Sequence, residues 1–474
     1  MATLIRKTKI VCTIGPATCT SERIKDLILA GMDVARLNFS HGDHNTHRQT
    51  LRLIREISRD LKKEVGILQD LGGPKIRIGK LPDQERKLQV GERIMLSTNP
   101  GKDPRHIPVN YPYLVEDVAV GDPILMVDGM IFLKVVAKEV DHVVCEVIVG
   151  GIIQSNKGVN LPSSSLRTPA FTEKDREDLT FGLEEGVDFV ALSFVRHEND
   201  LKPVREILNA DKNPPLLIAK IEKPQAIEGL ENILESVDGV IVARGDLGVE
   251  MPLEEVPMIQ KRIVRMARQA AKPVIIATQM LRSMINSPSP TRAEAADAAN
   301  AILDGTDALL LSDETAIGYY PVESVKVLDR IARETERHLK AGAYLDEPPI
   351  NTLGAIASAI GRAACVIAEE LNASAIVAGT SSGSTARLIA RFRPSCPVLG
   401  LTYTPEKKRH MTLLWGVIPI LVNPFKKAED IFDLARLTAL KQGWVKTGDC
   451  LVVTAGFPVG KPGNTNLIKI VKID

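Results

Sequence analysis

Several features that commonly reveal a protein's class are missing from this 474-residue chain. The six cysteines form no C-x-x-C pair, which argues against a zinc site or a dense disulfide framework and fits a reducing, cytoplasmic location. Aromatic residues make up only 4%, too few for a surface that stacks nucleic-acid bases. The 60 basic and 59 acidic residues nearly cancel. We therefore expect no nucleic-acid partner and no membrane partner, and any anion must be recognised locally.

Targeting segments and the common nucleotide motifs are also absent. No apolar run approaches the roughly 18 residues of a membrane-spanning helix, and the apolar part of the N-terminus is too short for a signal peptide. Neither a GxxxxGK[ST] sequence nor a GxGxxG after a strand occurs. We therefore expect neither a P-loop nor a Rossmann nucleotide site.

Apolar runs rich in valine and isoleucine alternate with amphipathic helical stretches. The runs are TKIVCTIG (8–15), DVARLNFS (33–40), EVGILQDL (64–71), DFVALSFV (188–195), PLLIAKIE (215–222), GVIVAR (239–244), PVIIAT (273–278) and DALLLS (307–312). Eight such units, apolar on both strand faces, predict a parallel (β/α)8 TIM barrel at residues 1–72 and 167–342. The alternative is two separate doubly wound sheets, which the even spacing disfavours.

Two further regions interrupt or follow this rhythm. Short strands with glycine, proline and aspartate turns at residues 73–166 predict an inserted all-β lid domain, a small barrel or sandwich, after the third strand. A polar, proline-bearing joint then leads into a C-terminal α/β domain at residues 343–474, whose last predicted strand is GDCLVVTAG. Three domains agree with a prior of about 150 residues per domain.

The most informative stretch, 218–250, contains two apolar runs that each end in charged residues. Lys220 and Glu222 are two apart on one strand and so share a face, and Asp246 follows the next strand. Two close carboxylates repel each other unless a cation lies between them. Mg2+ commonly takes one or two carboxylates and completes its shell with water and phosphate. We therefore predict a metal and anion site here.

Polar residues end nearly every predicted barrel strand, at the rim where such barrels carry their active sites. They are Arg36, Asn38, Ser40, Asp70, Ser193, Lys220, Glu222, Asp246, Thr278, Gln279, Ser312 and Glu314. Arg36 offers a fork of donors suited to phosphate, and Lys220 offers a point charge. Such groups predict phosphoryl transfer, which needs positioning and charge neutralisation.

The backbone after Arg244 is a second predicted anion-binding element. Gly245 and Gly248 allow close approach, and the chain is expected to turn tightly before a helix that begins near Leu253. Its N–H groups would then be free to hold a carboxylate or phosphate. The RGD at 244–246 ends a buried strand, so we do not interpret it as an adhesion motif.

Long blocks of this sequence closely resemble pyruvate kinase, in order and over the full length. They are KTKIVCTIGPA (7–17), GMDVARLNFSHG (31–42), KGVNLP (157–162), AKIEKP (219–224), VARGDLGVE (242–250), ATQMLRSM (277–284), PTRAEAADAANAILDGTDALLLSDETA (290–316) and TSSGSTARLIARFRP (380–394). The resemblance implies transfer of the phosphoryl group of phosphoenolpyruvate to ADP, giving pyruvate and ATP in the last step of glycolysis. It also implies dependence on Mg2+ or Mn2+ and a homotetramer.

The resemblance assigns residues as well. It implies metal ligands at Glu222 and Asp246, a phosphoryl-stabilising charge at Lys220 and phosphate binding by Arg36. It implies contacts to the substrate carboxylate from the backbone of Ala243, Gly245 and Asp246 and from Thr278. It implies a monovalent-cation pocket of Asn38, Ser40, Asp70 and the Leu71 carbonyl, and nucleotide contacts from Asn38, His41, Arg77 and Lys157. Thr278 and Ser312 lie on the rim expected for a proton relay to the enolate.

Three histidines, His41, His44 and His47, are spaced for one side of a helix. We favour a solvated helix start, with His41 alone near the nucleotide, over metal ligation.

The chain departs from the family pattern at Lys75, where many members have glutamate in DTKGPEIR. The change amounts to about two charge units beside the cation pocket, so the lysine ammonium can replace an external K+. We predict activity that needs Mg2+ but little or no K+; the alternative is a lysine that only extends into solvent. Asp313 is a second departure, where glycine is common.

A hydroxyl-rich loop in the third domain joins a strand to a helix that begins near Ser384. It contains Thr380, Ser381, Ser382, Gly383, Ser384 and Thr385. Such a loop can form an anion cradle, and the resemblance implies an allosteric sugar-phosphate or nucleotide effector here, with the loop at 456–466 covering it. An ordinary capped turn is the alternative.

Two rival functions stay open on the sequence. One is a Mg2+-dependent lyase or aldolase that acts on a pyruvate-like enolate in the same barrel. It would not need a nucleotide lid with Arg77 and Lys157. The other is a non-catalytic metabolite-binding regulator, which would predict damaged catalytic positions.

Overall fold

A computed structural model describes residues 5–99, 103, 105–164, 166–340, 342–348, 354–424, 427–458 and 464–474. The chain begins with the first three strands of a β/α barrel and the helices between them. These elements are β1 (Lys9–Thr13), α1 (Ser21–Ala30), β2 (Val34–Asn38), α2 (His44–Asp60) and β3 (Gly66–Asp70). Thr20 caps α1 and Asp43 caps α2, each by accepting a backbone N–H of the first turn.

An all-β domain is inserted after β3. Its elements are β4 (Glu85–Leu88), β5 (Arg93–Ser97), β6 (His106–Pro108), α3 (Leu114–Asp117), β7 (Pro123–Met126), β8 (Ile131–Lys138), β9 (Val143–Val149), β10 (Gly151–Gln154) and β11 (Val159–Asn160). A six-stranded sheet in the order β11-β7-β8-β9-β5-β6 and a two-stranded sheet of β10 and β4 share one apolar core. The insertion is therefore two sheets packed on each other.

The barrel then resumes with five more strands. The elements are α4 (Glu173–Glu184), β12 (Phe189–Val195), α5 (Lys202–Ala210), β13 (Leu216–Ile221), α6 (Pro224–Glu228), α7 (Leu230–Ser236), β14 (Gly239–Ala243), α8 (Arg244–Glu250), α9 (Val256–Gln269), β15 (Val274–Ala277), α10 (Arg292–Leu303), β16 (Ala308–Leu311), α11 (Asp313–Ala316) and α12 (Pro321–Arg337). All eight barrel strands pair in parallel and close in the order β1-β16-β15-β14-β13-β12-β3-β2. The predicted TIM barrel is confirmed.

One local prediction about the barrel is wrong. The segment after Arg244 does not turn tightly before a helix near Leu253; it is itself the short helix α8, and Leu253 begins only a 3-10 turn before α9. Because α8 begins at once after β14, its first backbone N–H groups lie at the barrel rim.

The C-terminal domain is an α/β unit with a five-stranded sheet. Its elements are α13 (Ala355–Glu370), β17 (Ala375–Gly379), α14 (Ser384–Ala390), β18 (Val398–Thr402), α15 (Pro405–His410), β19 (Val417–Leu421), α16 (Ala428–Lys441), β20 (Cys450–Gly456) and β21 (Thr465–Lys472). The sheet order is β19-β18-β17-β20-β21, and β21 is antiparallel to β20. The sequence prediction omitted β21. The proposed domain boundaries stay predictions.

The C-terminal domain closes the end of the barrel opposite the polar rim. Leu413 packs into the cluster that fills the barrel interior, which includes Val11, Phe189 and Ile241. Ion pairs fix the same seam, with Arg409 Nε 2.6 Å from Asp188 Oδ1. The C-terminal domain therefore covers the N-terminal strand ends of the barrel, and the C-terminal strand ends are left open. In the part of the chain that the structure describes, no helix is both long and apolar enough to cross a bilayer.

Candidate active site

Lys220 lies at the centre of the polar rim, at the end of β13. Its ammonium is 2.9 Å from Glu222 Oε1 and 3.3 Å from Asp70 Oδ1, and it donates a 2.8 Å hydrogen bond to Ser193 Oγ. Burial lowers the pKa of Lys220, but the Asp70 and Glu222 carboxylates outweigh burial and hold the pKa above its ordinary value. Lys220 is therefore a fixed positive charge in a mostly buried position, with 14% of its side chain exposed.

The carboxylates of Glu222 and Asp246 differ in the hydrogen bonds and ion pairs that they form with the rest of the protein. Glu222 is 2% exposed, and its second oxygen accepts the Phe194 backbone N–H at 2.9 Å. Burial raises the pKa of Glu222 and the Asp246 carboxylate adds to that rise, against an opposing effect of Lys220. Asp246, in the first turn of α8, has no hydrogen-bond or ion-pair partner among the described residues. An unpaired carboxylate beside a buried one is an oxygen donor set that suits a hard divalent cation.

The predicted monovalent-cation pocket already contains protein donors. Arg36 Nε donates to Asp70 Oδ2 at 2.7 Å, the Ser193 hydroxyl donates to the Leu71 carbonyl at 2.8 Å, and the Ser40 N–H donates to Asn38 Oδ1 at 3.1 Å. Burial raises the pKa of Asp70, but Lys220 and Arg36 outweigh burial, and the net pKa is below the ordinary value. Asn38 and Asp70 face each other across the β2–β3 pair, so the predicted residues do lie together.

Thr278 follows β15 in a strained conformation. Its φ is +69°, which is a genuine outlier for a β-branched residue. The Gly245 N–H donates to the Thr278 hydroxyl at 2.7 Å, and Arg244 Nη2 donates to the Thr278 carbonyl at 3.0 Å. Arg244 is itself held by Asp297 at 2.7 Å. These contacts aim the Thr278 side chain at the start of α8, where the substrate carboxylate is predicted.

Ser312 and Glu314 follow β16 on the same rim. Glu314 Oε2 accepts the Ser312 N–H at 2.8 Å and Oε1 accepts the Leu281 N–H at 3.0 Å, while burial raises the pKa of Glu314. The neighbouring Asp313 is exposed and lies close enough to His41 to favour its protonated form. The aspartate that departs from the family pattern therefore faces the predicted nucleotide side.

The predicted nucleotide residues converge from the barrel and the insertion. Arg77 forms a bridge to Gly158 and donates to the Asn156 carbonyl at 3.0 Å, which sets it beside Lys157. Burial lowers the pKa of His41, and the charges of Arg77, Lys75 and Arg36 lower it further. His41, Arg77 and Lys157 therefore belong to one basic region.

The other two histidines take part in packing. His44 is 2.7 Å from Asp178 Oδ1 and stacks on Phe181, and His47 stacks on Phe39. Among the described residues no group of three or more histidine, cysteine or acidic side chains is suited to hold a metal.

Lys75 lines a narrow cleft between the insertion and the barrel, together with Phe194, Lys223 and Asp246. Its ammonium has no hydrogen-bond or ion-pair partner within the described ranges. Lys75 also lowers the pKa of His41. The Lys75 charge is therefore close to the predicted nucleotide side as well as to Asp246, one of the predicted metal ligands.

The hydroxyl-rich loop of the C-terminal domain has few free hydroxyls. Thr380 Oγ1 accepts the Gly383 N–H at 2.9 Å, Ser382 donates to Ser384 Oγ at 2.9 Å, and Thr385 contacts Thr465 Oγ1 at 2.8 Å. Gly383 has a φ of +86° and precedes α14, a backbone position that favours glycine. Residues 459–463, the middle of the predicted covering loop, lie outside the described residues.

Comparison with known proteins decides the family. The family model "Pyruvate kinase, barrel domain" matches residues 5–325, and "Pyruvate kinase, alpha/beta domain" matches residues 358–471. The chain belongs to the pyruvate kinase family. Pyruvate kinase 2 of Synechocystis is 47% identical over 474 residues, with 98% of this chain and 79% of the relative covered. Pyruvate kinase of Geobacillus stearothermophilus is 45% identical over 469 residues, with 98% and 80% covered.

A solved structure agrees with the sequence relatives. The crystal structure of a pyruvate kinase from Cryptosporidium parvum has a TM-score of 0.92 and 36% identity, and the match covers 99% of this chain and 96% of that one. The chain is therefore a phosphotransferase enzyme, EC 2.7.1.40.

Two features of this pyruvate kinase site did not follow from sequence reasoning. Phe194, which donates its N–H to Glu222, has a φ of +57°, and no sequence signal marks that strain. The pair formed by Lys223 and Glu250 was also missed, although the position of Lys223 directly after Glu222 was a usable signal.

Proposed function

We propose that this chain transfers the phosphoryl group of phosphoenolpyruvate to ADP, with Lys220 stabilising the group in transit and Arg36 binding it. The observation that carries the proposal is the position of the Lys220 ammonium, 2.9 Å from Glu222 and 3.3 Å from Asp70. Asp246, which has no partner in the described part of the chain, is close enough for its charge to act on Lys220. Charge that is fixed and desolvated before reaction stabilises a developing negative charge without reorganisation.

Glu222 and Asp246 would hold Mg2+, or Mn2+ in its place. Their fit rests on the all-oxygen donor set, the raised pKa of the buried Glu222 and the absence of a partner for Asp246 among the described residues. When bound, the ion supplies positive charge against the substrate phosphate and carboxylate. The protein's own share is to hold Glu222 through the Phe194 N–H and to keep Lys220 charged beside it.

The substrate carboxylate would lie at the start of α8, against the backbone of Ala243, Gly245 and Asp246 and near Thr278. The hydrogen bond from the Gly245 N–H to the Thr278 hydroxyl supports this, since it shows that these two groups lie together, and the substrate carboxylate would replace one of them as the partner of the other. Thr278 and Ser312 would pass a proton to the enolate through water. His41, Arg77 and Lys157, with Asn38, would contact the nucleotide.

A coupled assay tests the function directly. Mixing the protein with phosphoenolpyruvate, ADP and Mg2+ should yield ATP and pyruvate in equal amounts. Cleavage or condensation of a pyruvate-like enolate without ATP formation would point to a lyase or aldolase instead. An absence of both reactions would point to a regulator that has lost catalysis.

We predict that turnover needs little or no K+, because the carboxylates of Asp70 and Glu222 are already balanced by Arg36 and Lys220 and because Lys75 adds a further positive charge. Activity with tetramethylammonium as the sole monovalent cation should be within twofold of activity in K+. Lys75→Glu should make activity rise about tenfold or more on K+ addition.

Lys80→Glu is the matched control for this prediction, since it makes the same charge change at an exposed position five residues away. It should leave the response to K+ unchanged. Strong activation of the wild-type protein by K+, or a Lys75→Glu variant indifferent to K+, would contradict the assignment.

The loop of Thr380, Ser381, Ser382, Gly383, Ser384 and Thr385 would bind a phosphorylated effector, either a sugar phosphate or a nucleotide. In a panel of such compounds, at least one should shift the half-saturating phosphoenolpyruvate concentration about fivefold or more, since an effector acts through its different affinity for two states. Ser382→Asp should abolish that shift by repulsion of the phosphate. Thr447→Asp, an exposed position of the same domain, should retain it. No response to any compound would refute this role.

The proposal also includes a homotetramer and a cytoplasmic location, as expected for a glycolytic enzyme of this family.

A further inference from the structure

One buried carboxylate at the seam between the barrel and the inserted domain joins three elements. Glu250 Oε1 is 2.7 Å from Lys223 Nζ and accepts a 2.8 Å hydrogen bond from Asn160 Nδ2. The side chains of Lys223 and Glu250 are only 9% and 2% exposed. Glu250 Oε2 is buried and has no partner among the described residues. Within the described ranges the charge of Glu250 therefore depends on two donors, and the loss of either leaves it poorly compensated.

The two barrel residues of this cluster are neighbours of the predicted metal ligands. Lys223 directly follows Glu222 in the chain. Glu250 is the last residue of α8 and lies four residues after Asp246, which puts both side chains on one face of that helix. The Lys223–Glu250 pair therefore cross-links the end of β13 to α8, the two elements that carry Glu222 and Asp246.

The third residue comes from the inserted domain. Asn160 ends β11, and this domain also approaches α8 at Gly129, where a Cβ added to the glycine would lie 3.6 Å from Val249 Cγ2. A movement of the inserted domain away from the barrel would break the bond from Asn160 to Glu250. Asn160 thus links the position of the inserted domain to the helix that carries Asp246.

We propose that Asn160, Glu250 and Lys223 are positioning residues that form a latch, through which docking of the inserted domain fixes the separation of Glu222 and Asp246. The inference rests on the proposed metal site. Residues that hold metal ligands from outside typically change metal affinity by about 10- to 100-fold when they are removed. The latch would make the divalent-cation site complete only when the inserted domain is in place.

Binding of Mn2+ measured by electron paramagnetic resonance tests the latch without turnover. The titrations contain phosphoenolpyruvate but no ADP, and use the wild-type protein, Asn160→Ala, Glu250→Met and the double variant. Methionine has about the length of glutamate but no oxygen to accept the hydrogen bond from Asn160. Each single variant should raise the Kd for Mn2+ about tenfold. The Kd of the double variant should be no higher than the higher of the two single-variant values, because both substitutions remove the same Asn160–Glu250 contact. Gln154→Ala, an exposed side chain of the same inserted domain, should bind Mn2+ like the wild type.

The outcomes separate the latch from the metal site and from a general structural role. A lower thermal unfolding midpoint with unchanged Mn2+ affinity would overturn the latch, as would additive effects in the double variant. Failure of the wild-type protein itself to bind Mn2+ would overturn the proposed metal site. Asn160→Ala removes only a neutral donor and leaves the Lys223–Glu250 pair in place, so it carries the test even if Glu250→Met does not fold.

Discussion

Replacing Lys220 with alanine should lower kcat by about 1,000-fold while changing the affinity for phosphoenolpyruvate less than tenfold. The ammonium is held by Glu222, Asp70 and Ser193 before substrate arrives, so it needs no rearrangement to meet the charge of the phosphoryl group. A contact that strengthens in the transition state affects turnover more than binding. The predicted loss corresponds to about 4 kcal/mol of transition-state stabilisation.

Steady-state kinetics and calorimetric titration of phosphoenolpyruvate, on the same protein preparations, would measure the two effects separately. Lys212→Ala is a suitable control because this exposed lysine precedes the same strand. It should match the wild-type protein in both measurements. A Lys220→Ala variant whose binding falls as far as its turnover would show that Lys220 acts on ground-state binding instead.

Replacing Glu222 with glutamine should lower kcat/KM by about 100- to 1,000-fold and raise the Mg2+ concentration needed for half-maximal activity at least tenfold. Glutamine keeps the shape and can still accept the Phe194 N–H, but it removes the charge that binds a hard cation. Activity measured across a range of Mg2+ concentrations gives both quantities.

Glu231→Gln removes the same charge from an exposed position on α7, downstream of the same strand, and should leave the Mg2+ dependence unchanged. Full activity of Glu222→Gln at ordinary Mg2+ concentration would exclude Glu222 as a metal ligand.

The sequence was sufficient for the barrel because each barrel strand is a continuous apolar run with a polar end. Burial on both faces of a parallel strand leaves that pattern directly in the sequence. The same polar ends placed Arg36, Asp70, Lys220 and Glu222 on one rim, and the structure brings these four together.

The helix α8 could not be predicted because its start depends on tertiary contacts. Two glycines, Gly245 and Gly248, disfavour a helix locally, and the sequence therefore indicated a turn. In the structure the Gly245 N–H donates to the Thr278 hydroxyl, a partner 33 residues away. The strand β21 was missed for a different reason: it follows a loop rich in glycine and proline, and seven of its eight residues are exposed or only partly buried.

The contact between the inserted domain and α8 also could not be predicted from the sequence. Asn160 and Glu250 are 90 residues apart and belong to different domains, so no periodicity connects them. Asn160 lies in KGVNLP, a block that the resemblance identified without a role for that side chain.

The most direct test of the site is the number of Mn2+ ions that the protein binds in the presence of phosphoenolpyruvate, measured by electron paramagnetic resonance. We predict one tight site per chain in the wild-type protein, and its loss in the Glu222→Gln, Asp246→Asn double variant. Equal binding by the wild-type protein and the double variant would contradict the account, because the divalent cation would then lie elsewhere.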